Sequence, residues 1–195
     1  MKELIKSYQI FSKSLLRSYL IKERLNMSHD EVKIKCKDLT KIFLDNIRFD
    51  DSIKSVALYF PINNEVITSI IHDDLILNNK DIFYPKIVLN EIKFVKSNNL
   101  NNFSRGKFNI MEPTGNEYLA LDDIDLFVLP SVGIGSQGKR LGYGGGFYDR
   151  LLSLTKKEKI CSLIYDFQIV DSFFGENHDI AVSKIFTEKR ILYFN

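Results

Sequence analysis

The chain reads LFVLPSVGIGSQGKRLGYGGGFYDR from Leu126 to Arg150, and this stretch decides the fold. It opens with an apolar, β-prone run from Leu126 to Leu129, which is typical of a buried strand. Seven of the chain's ten glycines then lie between Gly133 and Gly146, where they indicate a loop of unusual backbone conformation. A helical pattern follows from Phe147 to Leu154. A buried strand, a glycine-rich loop and a helix in this order predict an α/β fold.

The same alternation of strand and helix continues on both sides of this stretch. Short β-prone runs predict six strands, at Val56 to Phe60, Ile82 to Tyr84, Ile92 to Val95, Leu126 to Leu129, Ile160 to Ile164 and Ile191 to Phe194. Helical spacing lies between them at Val66 to Leu77 and at Phe147 to Leu154. Two polar stretches without periodicity, Ser97 to Ser104 and Glu112 to Asn116, are expected to be loops. The expected architecture is a three-layer α/β fold with a largely parallel sheet flanked by helices.

The segment before the first predicted strand reads as two helices. Apolar residues recur at three- and four-residue spacing from Leu4 to Leu20, which is the stripe of an amphipathic helix. Ser28 and Glu31 have the spacing of a capping box and precede a second apolar stripe from Val32 to Ile47. An N-terminal helical pair is therefore expected ahead of the sheet.

Length and composition describe a single domain over residues 1–195. The 27 basic and 25 acidic residues give a net charge of +2, which is too balanced to point to nucleic acid. No window reaches the ~18 apolar residues of a membrane span, and the charged N-terminus does not resemble a signal peptide. The separated Cys36 and Cys161 are typical of a reducing compartment. We therefore expect a cytoplasmic monomer that binds small molecules and has no nucleic-acid or membrane partner.

The glycine-rich loop also carries the strongest chemical signal. Glycines let a backbone approach a ligand closely, and successive N–H groups ahead of a helix can bind an anion. Arg140 before the run could neutralise phosphate charge, and Asp149 after it could hold Mg²⁺. The segment from Gly138 to Arg150 is not a Walker loop, because no Gly-Lys-Ser/Thr sequence ends it. It predicts a phosphate-handling site, with a plain flexible turn as the alternative.

The residues from Arg140 to Asp149 resemble the signature R-L-G-x-G-x-G-[YF]-Y-D of the 5-formyltetrahydrofolate cyclo-ligases, also called methenyltetrahydrofolate synthetases. The resemblance covers nearly the whole chain, and its further elements occur in the family's order and spacing. They are the basic pair Lys13 and Arg17, Tyr59-Phe60 with Glu65 and Thr68, Asn109 to Pro113, Gln168, His178-Asp179 and Thr187-Glu188. A chance match of one glycine loop would not reproduce this order.

Four positions depart from the family's pattern. The family usually reads P-G-x-[AG]-F-D before its glycine run, whereas this chain reads Pro130-Ser-Val-Gly-Ile-Gly135. Ser131, Ile134 and Gly135 thus replace a glycine, an aromatic and a carboxylate, and Ser183 replaces a later acidic residue. We expect these changes to affect the details of folate binding more than the nucleotide site.

The resemblance implies an ATP- and Mg²⁺-dependent ligase that cyclises 5-formyltetrahydrofolate to 5,10-methenyltetrahydrofolate through a phosphorylated formyl intermediate, with release of ADP and phosphate. It implies catalytic roles for Arg140 and Lys13, and Mg²⁺ ligation by Asp149 and Asp179. The nucleotide-binding residues that it implies are Lys13, Arg17, Arg140, Leu141, Gly142, Tyr143, Gly144, Gly145, Gly146, Phe147 and Tyr148. The folate-binding residues that it implies are Phe60, Glu65 and Tyr148. Because the substrate supplies both nucleophiles, the protein is expected to position the reactants and neutralise charge.

Two other functions stay open from the sequence alone. A different ATP-dependent phosphotransferase could use the same loop with another small acceptor, and substrate-dependent ADP release would distinguish it. A non-catalytic protein that binds folate or nucleotide is the second alternative, because the four departures could remove turnover.

Overall fold

The computed structural model describes residues 12–173 and 175–194. The α-helices in these ranges are α1 Lys13–Leu25, α2 His29–Ile47, α3 Ser69–Leu77 and α4 Phe147–Leu151. The strands in the same ranges are β1 Ser55–Ala57, β2 Asp81–Val88, β3 Glu91–Lys96, β4 Phe103–Arg105, β5 Met111–Pro113, β6 Tyr118–Leu119, β7 Leu126–Leu129, β8 Gly133–Gly135, β9 Arg140–Leu141, β10 Ile160–Leu163, β11 Ile169–Val170, β12 Lys184–Phe186 and β13 Ile191–Tyr193. Within this part of the chain, every helix is too short or too polar to cross a bilayer.

Eight strands form the central sheet, in the order β13-β12-β10-β7-β1-β2-β3-β6. The five strands from β12 to β2 run parallel, and β13, β3 and β6 add antiparallel edges. Val56 of β1 lies between Ile82 of β2 and Leu126 of β7, so the first predicted strand is in the centre of the sheet. The predicted α/β fold with a largely parallel sheet is confirmed.

The apolar run of β7 forms a strand because both faces of the sheet are covered there. Leu126 and Val128 point into one core cluster, while Phe127 and Leu129 point into another on the opposite face. All four side chains are buried. A strand with water on one side would have alternated polar and apolar residues, so the unbroken run reflects its central position.

Helices α2 and α3 cover the first face of the sheet. Ser28 and Glu31 form the predicted capping box, which fixes the start of α2. Leu39, Phe43 and Ile47 lie one turn apart on α2 and are fully buried against the sheet. Helix α3 also forms the crossover between the parallel strands β1 and β2.

A small sheet and the short helix α4 cover the second face. The small sheet has the order β11-β8-β9 and contributes Ile134 to the core on this side. The helix predicted to run to Leu154 ends at Leu151, so its C-terminal end was predicted wrongly. Leu154 is 97% exposed, and the backbone turns because the Thr155 N–H donates to the Leu152 carbonyl. Leu154 fits the helical spacing but has no apolar neighbour to pack on.

The two N-terminal helices pack in different places. Leu16 and Leu20 of α1 are buried with Val132, Leu141 and Val170 of the small-sheet region, whereas α2 packs on the central sheet. The expected beginning of the first helix, from residue 2 to residue 11, lies outside the described residues. Helix α1 is thus attached to the glycine-rich side of the protein rather than to the main core.

One expected loop region contains a hairpin. Strand β4 pairs with β5 in antiparallel register, so the end of the first expected loop, Phe103 to Ser104, and the start of the second, Glu112 to Pro113, lie in strands instead. The ring of Phe103 packs edge-on against Tyr84 of β2, with centroids 4.9 Å apart. Strands of three residues are too short to show periodicity, and this tertiary contact compensates for their length. The short strand β12 was missed for the same reason.

Gly135 provides a test of how closely the small sheet packs. A Cβ atom at this position would lie 1.8 Å from the carbonyl oxygen of Phe173, whereas a Cβ at Gly115 would lie 3.4 Å from Val95, an ordinary contact. We predict that Gly135→Ala lowers the free energy of unfolding by at least ~2 kcal/mol. The matched Gly115→Ala variant should stay within about 0.5 kcal/mol of wild type. Urea unfolding measures both values, and equal stability of the two variants would contradict this packing.

Candidate functional site

A cavity of about 710 Å³ opens at the carboxyl ends of the central parallel strands. Tyr59 and Phe60 follow strand β1, and Pro130 follows strand β7, and all three line the cavity. The edge where parallel strands end is the usual place for a ligand in α/β proteins, because the loops that follow the strands converge there. The cavity is therefore the candidate functional site.

All residues that the sequence singled out for function line this one cavity. They are Lys13, Arg17, Phe60, Glu65, Asp179 and the segment from Arg140 to Asp149. They come from α1, from the turn after β1, from the glycine-rich loop and from the loop before β12. The structure brings them together, and the individual roles assigned to them stay predictions.

Helix α1 crosses the cavity and presents two cations to it. Lys13 and Arg17 are four residues apart and lie on the same helical face. Lys13 Nζ lies 2.6 Å from Asp179 Oδ2 and 3.1 Å from Glu176 Oε1. Arg17 Nε donates to the Gly142 carbonyl at 2.7 Å. Both cations thus already have acceptors within the chain.

The Lys13–Asp179 pair shifts the pKa of each partner. Burial works toward a higher pKa for Asp179, but the hydrogen bonds from Lys13 Nζ and the Glu176 N–H outweigh it and hold the pKa below its ordinary value. Burial likewise works against the charge of Lys13, but the bonds to Asp179 and Glu176 raise its pKa. Both groups are therefore charged across the physiological range.

The glycine-rich loop runs directly beneath Arg17. Gly144 has a φ of +101°, and a Cβ on it would lie 3.4 Å from the Arg17 guanidinium carbon. A side chain there would be strained and would crowd the cation, so glycine fits both requirements. Helix α4 after the loop has only five residues, so its dipole is weak. Attraction for an anion therefore comes mainly from the two cations of α1 and from the loop's own N–H groups.

Arg140 and Asp149 form an ion pair at the inner side of the loop. Arg140 is 4% exposed, and its Nη2 donates to Asp149 Oδ1 at 3.1 Å. Its Nη1 donates to the Pro130 carbonyl at 3.1 Å, and its guanidinium lies 5.5 Å from the ring centre of Tyr148. The sequence predicted that Arg140 forks onto phosphate. In the structure both Nη groups of Arg140 donate to acceptors of the protein instead. The buried Nε has no hydrogen bond within the described residues.

Arg24 is the main site residue that the sequence reasoning missed. It is 1% exposed, and its Nε donates to the Asn63 carbonyl at 2.8 Å. Its Nη2 donates to the Tyr143 hydroxyl, and its Nη1 lies 3.7 Å from Glu65 Oε1. Tyr143 donates in turn to the same Glu65 oxygen at 3.0 Å. An arginine within the apolar stripe of α1, one heptad after Arg17, is the signal that could have identified it.

Burial dominates the acid–base properties of this network. It raises the pKa of Glu65 above its ordinary value, although Arg24 and the hydrogen bonds from the Ile62 N–H and Tyr143 lower it. Burial and the nearby Glu65 charge raise the pKa of Tyr143, so its phenol stays protonated. The arrangement is a neutral phenol and a buried carboxyl held beside one buried cation.

The other end of the cavity is apolar. Phe60, Ile87 and Ile92 line it, together with Phe108 at the tip of the β4–β5 hairpin. The ring of Phe108 stands edge-on to Phe147 of α4, with centroids 5.8 Å apart. The hairpin tip thus reaches the helix that follows the glycine-rich loop. This role could not be predicted from the sequence, because the segment has no periodicity.

The four positions that depart from the expected motif lie outside the cavity lining. Ser131 Oγ lies 2.7 Å from Ser162 Oγ, and Ile134 is fully buried in the core beneath the sheet. Gly135 packs on a backbone carbonyl, and Ser183 Oγ donates to another at 3.0 Å. Any effect of these changes on ligand binding therefore has to be indirect.

Asp149 and Asp179, the two carboxylates that the resemblance implies for Mg²⁺, both line the cavity. Both hydrogen bonds to Asp149 go to Oδ1, from Arg140 and from the Ile180 N–H, which leaves Oδ2 without one among the described residues. Both oxygens of Asp179 accept from Lys13 or the Glu176 N–H. The described residues contain no group of three or more His, Cys, Asp or Glu placed to bind a metal. Mg²⁺ usually needs only one or two carboxylates when phosphate oxygens and water complete its shell.

Comparisons with known proteins agree in sequence and in fold. A model of the 5-formyltetrahydrofolate cyclo-ligase family matches residues 9–188. The 5-formyltetrahydrofolate cyclo-ligase of Mycoplasma pneumoniae is 28% identical over 180 residues, which are 91% of this chain and 99% of that protein. The cyclo-ligase of Mycoplasma genitalium is 32% identical over 167 residues, 82% of this chain and 88% of its own length. The structure of Aquifex aeolicus 5,10-methenyltetrahydrofolate synthetase matches with a TM-score of 0.82 at 30% identity, covering 93% of this chain and 92% of that one.

The Lys13–Asp179 pair gives a prediction for stability at acid pH. The folded-state pKa of Asp179 is depressed, so the pair stabilises the fold above pH ~4 and this contribution is lost as pH falls through the folded-state pKa. Asp179→Asn should therefore cost about 0.5–1 kcal/mol at pH 7, since the pair is partly solvent-exposed. The cost should be smaller at pH 3, because more of the Asp179 carboxylate is then protonated. Urea unfolding at the two pH values measures the difference, and an equal cost at both would mean that the charge of Asp179 does not matter.

Proposed function

The chain belongs to the 5-formyltetrahydrofolate cyclo-ligase family, and from this premise we propose that it is an ATP-dependent ligase that converts 5-formyltetrahydrofolate to 5,10-methenyltetrahydrofolate. The observation that carries the proposal is the composition of this cavity. One end presents Lys13, Arg17 and the glycine-rich loop, while the other end is apolar and aromatic. A phosphate chain suits the first end and a fused-ring substrate suits the second.

The proposed reaction has two steps, and the folate supplies the nucleophile in each: first the formyl oxygen and then N10. The formyl oxygen attacks the γ-phosphorus of ATP, the bond to the bridging oxygen breaks, and ADP leaves. N10 of the folate then attacks the activated formyl carbon and loses its proton to the departing phosphate or to water, and the carbon–oxygen bond breaks to release phosphate. The products are the methenyl compound, ADP and phosphate. The protein's task is to align the two substrates and to exclude water, because it contributes no nucleophile.

Lys13 and Arg17 are the residues that we assign to the phosphate chain. In the free protein Lys13 is bound to Asp179, and Arg17 to the Gly142 carbonyl. Phosphate oxygens would replace both acceptors, the neutral Gly142 carbonyl and the Asp179 carboxylate, which also accepts from the Glu176 N–H. They would form charge-assisted hydrogen bonds with both cations. The exchange releases the Asp179 carboxylate at the same time. Nucleotide and Mg²⁺ should therefore bind together more tightly than either binds alone.

Asp149 and Asp179 are the carboxylates that we assign to Mg²⁺. When bound, Mg²⁺ would neutralise charge that develops on the transferring phosphate. Arg140 holds Asp149 in place through Oδ1, and its own charge lies close to the site. We therefore assign Arg140 to positioning the metal ligand and to stabilising charge, rather than to a direct fork onto phosphate.

Glu65, Phe60 and Tyr148 are the residues that we assign to the folate. The ring-lined wall offers flat apolar contacts to a pteridine, and Glu65 is a carboxylate acceptor at its border. Burial makes the Glu65 carboxylate selective among ligands. Because it is only 4% exposed, a ligand can reach it only with a hydrogen-bond donor placed to fit the cavity.

The decisive experiment is a continuous assay of 5,10-methenyltetrahydrofolate by its near-ultraviolet absorbance. We expect the signal to grow only when protein, 5-formyltetrahydrofolate, ATP and Mg²⁺ are all present, since the proposed reaction consumes both substrates and uses Mg²⁺ to neutralise phosphate charge. ADP release without methenyl product would instead indicate a phosphotransferase with another acceptor. Binding of folate or nucleotide without either product would indicate a non-catalytic binder, and both results would reject the proposal.

The role of Arg17 can be tested against a neighbouring lysine. Arg17→Met should raise the KM for ATP about tenfold or more, because a charge-assisted hydrogen bond contributes roughly 1.5–3 kcal/mol. Lys22→Met removes a cation from the exposed face of the same helix and should leave the KM unchanged. Steady-state kinetics with saturating folate measures both. An equal change in the two variants would assign the effect to overall charge rather than to contact with ATP.

A further inference from the structure

Arg24 holds together parts of the cavity wall without lining the cavity itself. Its guanidinium binds the Asn63 carbonyl in the turn after β1, at 2.8 Å, and the Ser131 carbonyl in the loop after β7, at 3.3 Å. It also donates to the Tyr143 hydroxyl of the glycine-rich loop and lies 3.7 Å from Glu65. Tyr143 and Glu65 both line the cavity, whereas Arg24 is behind them.

The position of Arg24 determines which form of Glu65 the cavity presents. Glu65 is 4% exposed, so its carboxylate needs a compensating charge. The Ile62 N–H donates to Oε2 at 3.0 Å, and the Tyr143 hydroxyl donates to Oε1 at 3.0 Å, but these are neutral donors. A carboxylate with two neutral donors and no cation would be favoured in its protonated form.

The groups around Glu65 come from every element that packs against it. Tyr59 comes from the segment after β1, Tyr143 from the glycine-rich loop and Tyr148 from α4, and each of these phenols interacts electrostatically with Glu65. All three are neutral at physiological pH, because burial raises their pKa values. Arg24 from α1 is the cation that acts on Glu65 among the described residues.

We propose that Arg24 is a positioning residue that keeps Glu65 as a carboxylate and turns the Tyr143 hydroxyl toward it, so that the cavity presents a fixed anionic acceptor to the N–H groups of the folate ring. The inference rests on the proposed function, because it takes folate to be the ligand. Arg24 does not touch the ligand and acts only through Glu65 and Tyr143. A protonated Glu65 would lose its negative charge, and its O–H would place a donor where the carboxylate offers an acceptor, so it would bind the same N–H groups more weakly.

The sign of the pH effect follows from the charges. Burial raises the pKa of Glu65, and Arg24 opposes this rise. Removing the Arg24 charge therefore raises the pKa of Glu65 further, and the carboxylate is lost at a higher pH. Folate affinity should then begin to fall at a higher pH than in the wild type.

The first test measures the affinity for 5-formyltetrahydrofolate without ATP, by calorimetry, between pH 5 and pH 8. In Arg24→Met the acidic fall in affinity should begin about one pH unit or more above that of the wild type. Arg24→Lys, which keeps the charge, should restore most of the wild-type profile, and Glu65→Gln should remove the fall altogether. A uniform loss of affinity in Arg24→Met at every pH would show a merely structural role and overturn the proposal.

The second test does not depend on folate. The destabilisation caused by Arg24→Met should grow as pH rises through the Glu65 titration, and it should lose this pH dependence in a Glu65→Gln background. Urea unfolding of the wild type, both single variants and the double variant measures it. A cost that is independent of pH, or of the residue at position 65, would overturn the electrostatic role.

The two tests separate this inference from the proposed function. If the wild type bound no folate while the pH-dependent coupling persisted, the proposed function would fail and the coupling of Arg24 to Glu65 would stand. If Arg24→Met does not fold, Tyr143→Phe carries the affinity test, because it removes the phenol that donates to Glu65 and leaves Arg24 buried. An unshifted profile in that variant would reject the relay through Tyr143.

Discussion

The guanidinium of Arg24 fastens helix α1 to three other segments: the turn after β1, the loop after β7 and the glycine-rich loop after β9. Removing an arginine from water costs several kcal/mol unless its donors and its charge are satisfied. Here two carbonyls, a phenol and a carboxylate satisfy it. Because any displacement of these segments would leave a buried charge unpaired, their relative positions are narrowly fixed. Apolar contacts of Leu16 and Leu20 bring α1 to this side of the protein, but such contacts are not directional. The shape of the cavity therefore depends on the polar contact more than on the apolar one.

Lys13, Arg17 and Arg140 of the cavity each donate to an acceptor within the protein. Lys13 binds Asp179, Arg17 binds a glycine carbonyl, and Arg140 binds Asp149. The site therefore avoids the cost of several unpaired like charges in a confined space. A ligand has to exchange these partners, so its binding free energy is the difference between two sets of charge-assisted contacts. Such a difference favours a ligand that supplies an anion and a cation together, as a magnesium–nucleotide complex does. A lone anion would leave Asp179 without its lysine.

Much of this arrangement could be predicted from sequence because it depends on local patterns. The run from Leu126 to Leu129 is buried on both faces of a parallel sheet, and a continuous apolar run is the pattern of such a strand. The candidate site residues were predicted from a sequence motif. They lie together in the structure because the loops that follow parallel strands converge at one edge of the sheet. The contacts of Arg24 and the Arg140–Asp149 pair could not be predicted in this way. The Arg24 contacts depend on where helix α1 meets a loop more than one hundred residues later, and no periodicity records such a distance. The Arg140–Asp149 pair spans only nine residues, but it depends on the path of the glycine-rich loop between them, which has no periodic pattern. The β4–β5 hairpin was not predicted, because its strands are too short to show a pattern. A tertiary contact between Phe103 and Tyr84 stabilises them instead.

The departures before the glycine-rich loop show that a shared motif can serve different purposes along its length. Ser131, Ile134 and Gly135 stand where the family usually has a glycine, an aromatic and a carboxylate, yet none of them lines the cavity. Ser131 pairs with Ser162 on the neighbouring strand, so the additional hydroxyl has a buried partner. Ile134 fills the core beneath the sheet, and Gly135 leaves room for the Phe173 carbonyl, which a carboxylate side chain would displace. Because each of the three residues is accommodated in the protein interior, these departures change the packing around strand β8 without changing any residue that lines the cavity.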